Sequence, residues 1–325
     1  MFMISFVALL VGLYALLKGA ELFVEGSSSL ARNYHISGMI IGLTIVAFGT
    51  SAPELAVSTS AAWLGSNEIA LSNVVGSNIF NLLFVLGVCA VIQKVPLDVD
   101  FLKRDYPVTI FSTLALLLLT SSTVLISGKL LTMKMDAEVG TLTRPIAVAL
   151  LLAFAVYMFV LIRNARSSPK ESEEPAKFPV SACIVYIAIG LMFVIGGAQA
   201  VVFGAKEIAK IMGMTETLIG LTVVAIGTSL PELVTSIVAA KKGEAGLAVG
   251  NAVGSNIFNL LFILGVSGLI HPISVNAASV YDMIVLTVIS VMAFVFSKTS
   301  KCIDVYEGLA MVAVYAGYMV FAVIR

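Results

Sequence analysis

The chain has 325 residues, of which 59% are hydrophobic and 12% charged, against about a quarter charged in soluble domains. Its 19 Lys and Arg balance its 19 Asp and Glu, so no basic field draws nucleic acid. At about 20 residues per span, this composition excludes a soluble enzyme or a single-pass receptor and specifies an all-α polytopic membrane protein with the lipid bilayer as solvent.

In chain order, apolar runs bounded by polar, Gly or Pro breaks predict ten spans: 2–28, 37–63, 69–92, 107–126, 145–162, 180–205, 216–240, 246–270, 280–297 and 304–324. The first run has no Lys or Arg before Lys18 and is followed by further spans, so it reads as a transmembrane helix rather than a cleaved leader. Pro107 and Pro145 stand where the fourth and fifth spans begin, positions at which a missing N–H is harmless. The stretch 127–143, with Asp136 and Glu138, reads as a solvated loop. The stretch 164–179, NARSSPKESEEPAKFP, reads as a flexible linker too short to fold as a domain. Cys89, Cys183 and Cys302 lack CxxC spacing and read as buried small hydrophobes. The two histidines, His35 and His271, lie near loops, and no HExxH or Gly-x-Ser-x-Gly occurs, which argues against an intramembrane enzyme.

The second spans of the two halves nearly coincide: GLTIVAFGTSAPEL at 42–55 and GLTVVAIGTSLPEL at 220–233 are identical at 11 of 14 positions. NVVGSNIFNLLFVLGV at 73–88 and NAVGSNIFNLLFILGV at 251–266 agree at 14 of 16, with the same offset of 178 residues. One unit has been used twice. Five spans per unit is odd, so the second unit enters the bilayer from the opposite side: 1–163 and 180–325 form two inverted-topology repeats joined by 164–179. With the N-terminus outside, the inner loops hold 12 Lys and Arg and the outer segments 6, which places both termini outside and the linker inside.

Glu54 and Glu232 are conspicuous because each lies in mid-span, immediately after Pro53 or Pro231. An ionisable group at that depth costs several kcal/mol or about 3 at the least, so it faces a cavity or a partner. Proline there removes an N–H and disrupts the preceding turn, freeing carbonyls around Ala47–Gly49 and Ala225–Gly227 and breaking the second and seventh spans at the midplane. Broken backbone in a bilayer is tolerated only where it lines a protein cavity, and unwound carbonyls are cation ligands. Thr50 and Glu54, Thr228 and Glu232, Ser77 and Asn81, and Ser255 and Asn259 are each four apart, so four helix faces present hydroxyl, amide and carboxylate oxygens. Every donor is a hard oxygen, which selects Na+, K+, Ca2+ or Mg2+ over zinc, copper or iron. Two glutamates balance one Ca2+, two monovalent ions or two protons. Competition for such a pocket is the physical basis of exchange. The FNLLF stripes read as packing or lipid-facing residues.

At these residues the sequence resembles the sodium/calcium exchanger family of the cation/calcium exchanger superfamily, prokaryotic type. The resemblance spans ten helices in two units, each with a GTS-x-PE span followed by a GSN-xx-N span. Cation/proton members typically carry G-N-x-x-E at the equivalent place, so GTSAPE and GTSLPE favour a sodium-coupled branch. The resemblance implies antiport of Ca2+ against Na+ by alternating access, the first and sixth spans sliding across a core of the second, third, seventh and eighth. It implies Ca2+ held by Glu54, Glu232, Thr50 and Thr228. It implies Na+ held by the same glutamates with Ser51, Ser77, Ser229, Ser255 and the carbonyls of Ala47 and Ala225. Asn81 and Asn259 complete the central site. Several relatives carry aspartate where this chain has Asn259. The alternative couple is Ca2+/H+, with K+ a further candidate ion. A channel, the rival from another class, would pass Ca2+ downhill with no counter-ion. The expected location is a prokaryotic plasma membrane, with no cofactor and no obligate protein partner.

Overall fold

The computed structural model describes residues 2–65, 67–97, 99–128, 130, 134–167, 175–214, 225–299 and 301–324. Its helices are α1 (Phe2–Asn33), α2 (Gly38–Thr50), α3 (Ala52–Trp63), α4 (Glu68–Ile92), α5 (Phe101–Ile126), α6 (Arg144–Ala165), α7 (Val180–Ile211), α8 (Leu230–Lys241), α9 (Ala245–Ile270), α10 (Ala277–Lys298) and α11 (Val305–Ala322). Among the described residues, 8 helices are long and apolar enough to cross a bilayer, and α2–α3, bent by 48°, brings the number to 9. The predicted span 216–240 begins outside the described residues. Its described part is a turn at Ala225–Gly227 followed by α8.

The α2–α3 break falls at Ser51, whose ψ of 8° leaves the helical region. The corresponding residue before α8 is Ser229, with ψ of 7°. Pro53 and Pro231 sit in the first turn of the half-helix that follows, where no N–H is missed. The backbone therefore breaks just ahead of each proline, and the Ala47 carbonyl is not left free: the Ser51 N–H donates to it at 3.1 Å.

Several boundaries differ from the sequence reading. Helices α1 and α7 run past residues 28 and 205, and in α1 the polar residues that resembled an end have tertiary partners. Ser29 Oγ accepts from the Phe178 N–H at 2.9 Å, and Glu25 meets Lys242 at 2.6 Å. Helix α5 starts before Pro107: a wide π turn, Phe101–Asp105, precedes Tyr106 and accommodates the missing donor. The stretch 127–143 is not merely solvated. Glu138–Leu142 (β2) pairs antiparallel with Ile273–Asn276 (β3), and a smaller ladder joins Val95–Pro96 (β1) to Cys302–Ile303 (β4). The three cysteines are buried and unpaired, as their spacing predicts.

Burial orders the helices. The most apolar windows of α4 and α9, which carry the GSN motifs, are 72% and 78% buried, whereas those of α1, α6 and α7 are 22% buried. The FNLLF segments pack inside, with Phe80, Leu82, Leu83, Phe258, Leu260 and Leu261 all buried.

Helices α1 and α7 lie antiparallel with their backbones in contact. Ser5, Gly12, Gly19 and Gly26, spaced by seven, face Gly204, Gly197, Gly190 and Cys183 in turn. Seven residues are close to two helical turns, so these small residues form one seam. A Cβ on Gly190 would lie 2.5 Å from Phe23 N and 2.8 Å from Gly19 O, both backbone atoms that cannot rotate away. Gly190→Ala is expected to destabilise the protein by about 1–3 kcal/mol through overpacking. A thermal-unfolding scan of the purified variant in detergent reads this as a lower midpoint. The pair also rests on both breaks: Phe23 and Leu191 close on Gly49, and Val202 closes on Gly227.

Candidate functional site

Glu54 and Glu232 each occupy the first turn of the half-helix after a break, where the helix N-terminus favours a negative charge. Both are fully buried. Their partners come from the opposite break. Ser51 Oγ donates to Glu232 Oε1 at 2.8 Å, and Ser229 Oγ donates to Glu54 Oε1 at 3.0 Å. This crossing brings the two carboxyls, far apart in sequence, into one interior. Ser255 Oγ adds a longer bond to Glu232 Oε1 at 3.4 Å. Thr50 stands beside the Glu232 carboxyl and Thr228 beside that of Glu54.

Helices α4 and α9 supply the other wall. Asn81 opens a π turn, Asn81–Val85, and Asn259 lies in another, Phe258–Ile263. Such wide turns recur at functional sites. Asn259 Nδ2 donates to Ser77 Oγ and to Asn78 Oδ1, both at 3.1 Å, and Ser77 Oγ in turn donates to the Val74 carbonyl. Ser77 therefore binds Asn259 rather than a glutamate. Asn78 and Asn256 clasp reciprocally, each amide donating to the other's backbone carbonyl at 3.3 and 3.1 Å, which pins α4 to α9. Ala225 is described as backbone only, at the start of the turn before Thr228.

The face-sharing argument from four-residue spacing holds differently from expectation. Thr50 and Glu54 are separated by the break, and each glutamate takes its shortest serine bond from the other half, with Ser255 adding a longer one to Glu232 from its own. Two residues that sequence reasoning passed over complete the network. Asn251 Nδ2 donates to the Glu232 carbonyl at 3.3 Å and to Ser236 Oγ at 2.9 Å, and its Oδ1 accepts from Thr50 Oγ1 at 3.0 Å. Asn73 makes the matching pair to the Glu54 carbonyl and Ser58 Oγ, at 3.4 and 3.0 Å. The signal for them was present: each opens a duplicated stretch and stands four residues before Ser77 or Ser255.

Buried oxygens remain without partners: Glu54 Oε2, Glu232 Oε2, Asn81 Oδ1, Asn259 Oδ1 and Thr228 Oγ1 have none among the described residues. Each such atom costs about 1–3 kcal/mol if left unsatisfied. Together they offer two carboxylates, two amide oxygens and a hydroxyl, a hard-oxygen set of the kind Ca2+ and Na+ take.

The family model for the sodium/calcium exchanger protein matches residues 4–163 and 182–324. The putative antiporter CaxA of Alkalimonas amylolytica is 36% identical, with 97% of this chain and 98% of that protein aligned. The sodium/calcium exchanger MaX1 of Methanosarcina acetivorans is 31% identical over 98% of this chain and 99% of its own length. The solved structure of the sodium-calcium exchanger NCX_Mj soaked with 10 mM Na+ and zero Ca2+ superposes with a TM-score of 0.84, at 30% identity and with 100% of both chains covered. The chain thus belongs to the sodium/calcium exchanger family of the cation/calcium exchanger superfamily, integral membrane antiporters of Ca2+ and a second cation.

Proposed function

We propose that this protein exchanges Ca2+ for Na+ by alternating access at one shared site, with Glu54 and Glu232 as its charged ligands. The observation that carries this reading is the crossed pair of serine–glutamate bonds, Ser51 to Glu232 and Ser229 to Glu54. It gathers both carboxyls beside oxygens that lack partners. Thr50, Thr228, Asn81 and Asn259 are the neutral ligands of this reading, with Ser51, Ser77, Ser229, Ser255 and the Ala47 and Ala225 carbonyls serving Na+, Ala47 through the second lone pair that its bond from Ser51 leaves.

The same reading takes 1–163 and 180–325 as two inverted five-helix units joined by an inner linker. Its support is that contacts come in couples related by the 178-residue offset: Ser51–Glu232 with Ser229–Glu54, Asn78 with Asn256, and Gly12–Gly197 with Gly19–Gly190. The excess of Lys and Arg on one side of the spans supports outer termini in a prokaryotic plasma membrane. No cofactor enters the reading; the ions are cargo.

A second reading, Ca2+/H+ exchange, draws on one observation: each buried carboxyl keeps one oxygen that a proton would occupy. Purified protein in Na+-loaded liposomes tests both. Ca2+ uptake driven by the outward Na+ gradient and unaffected by a pH jump is the expected result. Uptake driven by a proton gradient without Na+ would establish the second reading instead, and uptake with neither counter-ion would mark a channel.

A further inference from the structure

Many contacts around the two breaks come in couples related by the 178-residue offset, but Ser255–Glu232, Asn259–Ser77 and Asn259–Asn78 have no counterpart, and one further asymmetry lies at the glutamates' own half-helices. Asn251 on α9 and Asn73 on α4 each tie their amide to a glutamate's backbone carbonyl and to a serine one turn further along the same half-helix. Only Asn251 has a third bond: its Oδ1 accepts from Thr50 Oγ1 at 3.0 Å. The equivalent bond, from Thr228 to Asn73, is not made. Thr228 Oγ1 is buried without a partner among the described residues, and Asn73 is only half-buried, whereas Asn251 is fully enclosed.

The missing bond bears on ion binding because a hydroxyl has a single proton. Thr50 Oγ1 has three acceptors within range: Val46 O at 3.1 Å, Ala47 O at 3.4 Å and Asn251 Oδ1 at 3.0 Å. When the proton points to Asn251, the hydroxyl lone pairs are turned away from that helix. A hydroxyl ligates a cation only with its lone pairs forward and its proton donated elsewhere, so the acceptor behind it sets its quality as a ligand. Acceptors that orient a ligand from behind change metal affinity by about 10–100-fold.

We propose that Asn251 and Asn73 are positioning residues that hold Thr50 and Thr228, respectively, as cation ligands, and that the two clasps are made alternately, one in each access state. This rests on the exchange reading and on its inverted halves. If the two units are equivalent and oppositely inserted, the state facing the other side is reached by exchanging their conformations. There Thr228 donates to Asn73, and Thr50 is released. The asymmetry between the clasps is then a marker of which face is open.

The test is a pair of double-mutant cycles read at both faces. Right-side-out and everted membrane vesicles carrying wild-type protein, Asn251→Ala, Thr50→Val and the double variant are assayed for Na+-gradient-driven Ca2+ uptake. A second set carries Asn73→Ala, Thr228→Val and their double. The expected result is a rise of about 10-fold or more in the Ca2+ KM at one face for the Asn251 set and at the opposite face for the Asn73 set. Each double variant is expected to be no worse than its threonine variant alone, because the asparagine acts through that threonine. Multiplying KM effects within a cycle, or equal shifts at both faces, would overturn the proposal. Asn251→Ser, too short to reach Thr50 but still polar, replaces Asn251→Ala in the same cycle if the alanine variant does not fold. Wild-type vesicles without Na+-driven uptake would instead reject the exchange reading itself, whatever the variants do.

Discussion

Glu232→Gln, and equally Glu54→Gln, is expected to abolish Na+-driven Ca2+ uptake while the protein still purifies as a folded species. The substitution keeps the shape and can still accept from Ser51 or Ser229, so the bonds that set the break survive. What is lost is one of two buried negative charges. Removing one member of a buried charge set costs about 3–5 kcal/mol, which at about 1.4 kcal/mol per decade is roughly two to three and a half orders of magnitude in Ca2+ affinity. Calorimetric Ca2+ titration and liposome flux read the loss together. A folded Glu232→Gln protein with wild-type exchange would place the ion elsewhere.

The second large effect is expected from Asn259→Asp. Asn259 now donates two hydrogens, to Ser77 Oγ and Asn78 Oδ1. An ionised aspartate donates none, and it would face the Asn78 oxygen with a charge. Such a side chain demands either a proton or a cation. When Ca2+ is bound, the third negative charge is expected to tighten it by about tenfold or more, equivalent to about 1.4 kcal/mol. Without Ca2+, a proton takes the same place, so the apparent Ca2+ KM of this variant is expected to fall as pH rises and more of the aspartate is ionised. Flux measured from pH 6 to 9 reads the slope; a variant whose Ca2+ and pH dependence match the wild type would show that Asn259 does not face the ion.

Much of the candidate site was legible because duplication isolates it. Glu54 and Glu232 stand out as mid-span carboxylates, and the prolines beside them mark the breaks, which lie at Ser51 and Ser229. The order of the described helices was legible from apolar runs for a different reason: a bilayer span must be long and apolar. What could not be read depends on tertiary partners. Ser27, Ser28 and Ser29 look like the end of a helix, yet they are buried and α1 continues to Asn33. The π turns at Asn81 and Phe258 have no local signature, since a wide turn differs from an ordinary one by a single hydrogen-bond shift. The crossed serine bonds were invisible for another reason. Spacing along one helix pairs Thr50 with Glu54, and only the approach of the two breaks reveals that Ser51 belongs to Glu232. The β2–β3 ladder likewise depends on Ile273–Asn276 lying alongside residues far earlier in the chain.

The seven-residue seam between α1 and α7 has a bearing on leakage. Backbone lies close against backbone along it, leaving little between to absorb slippage, and the pair presses on Gly49 at one break and on Gly227 at the other. A displacement of either helix is therefore handed to its neighbour undiminished, and the two ends of the route respond to the same stroke. On the proposed alternating-access reading, coupling of this kind makes the uncovering of one mouth shut the other. A Ca2+ gradient is then not dissipated through a moment in which both stand ajar.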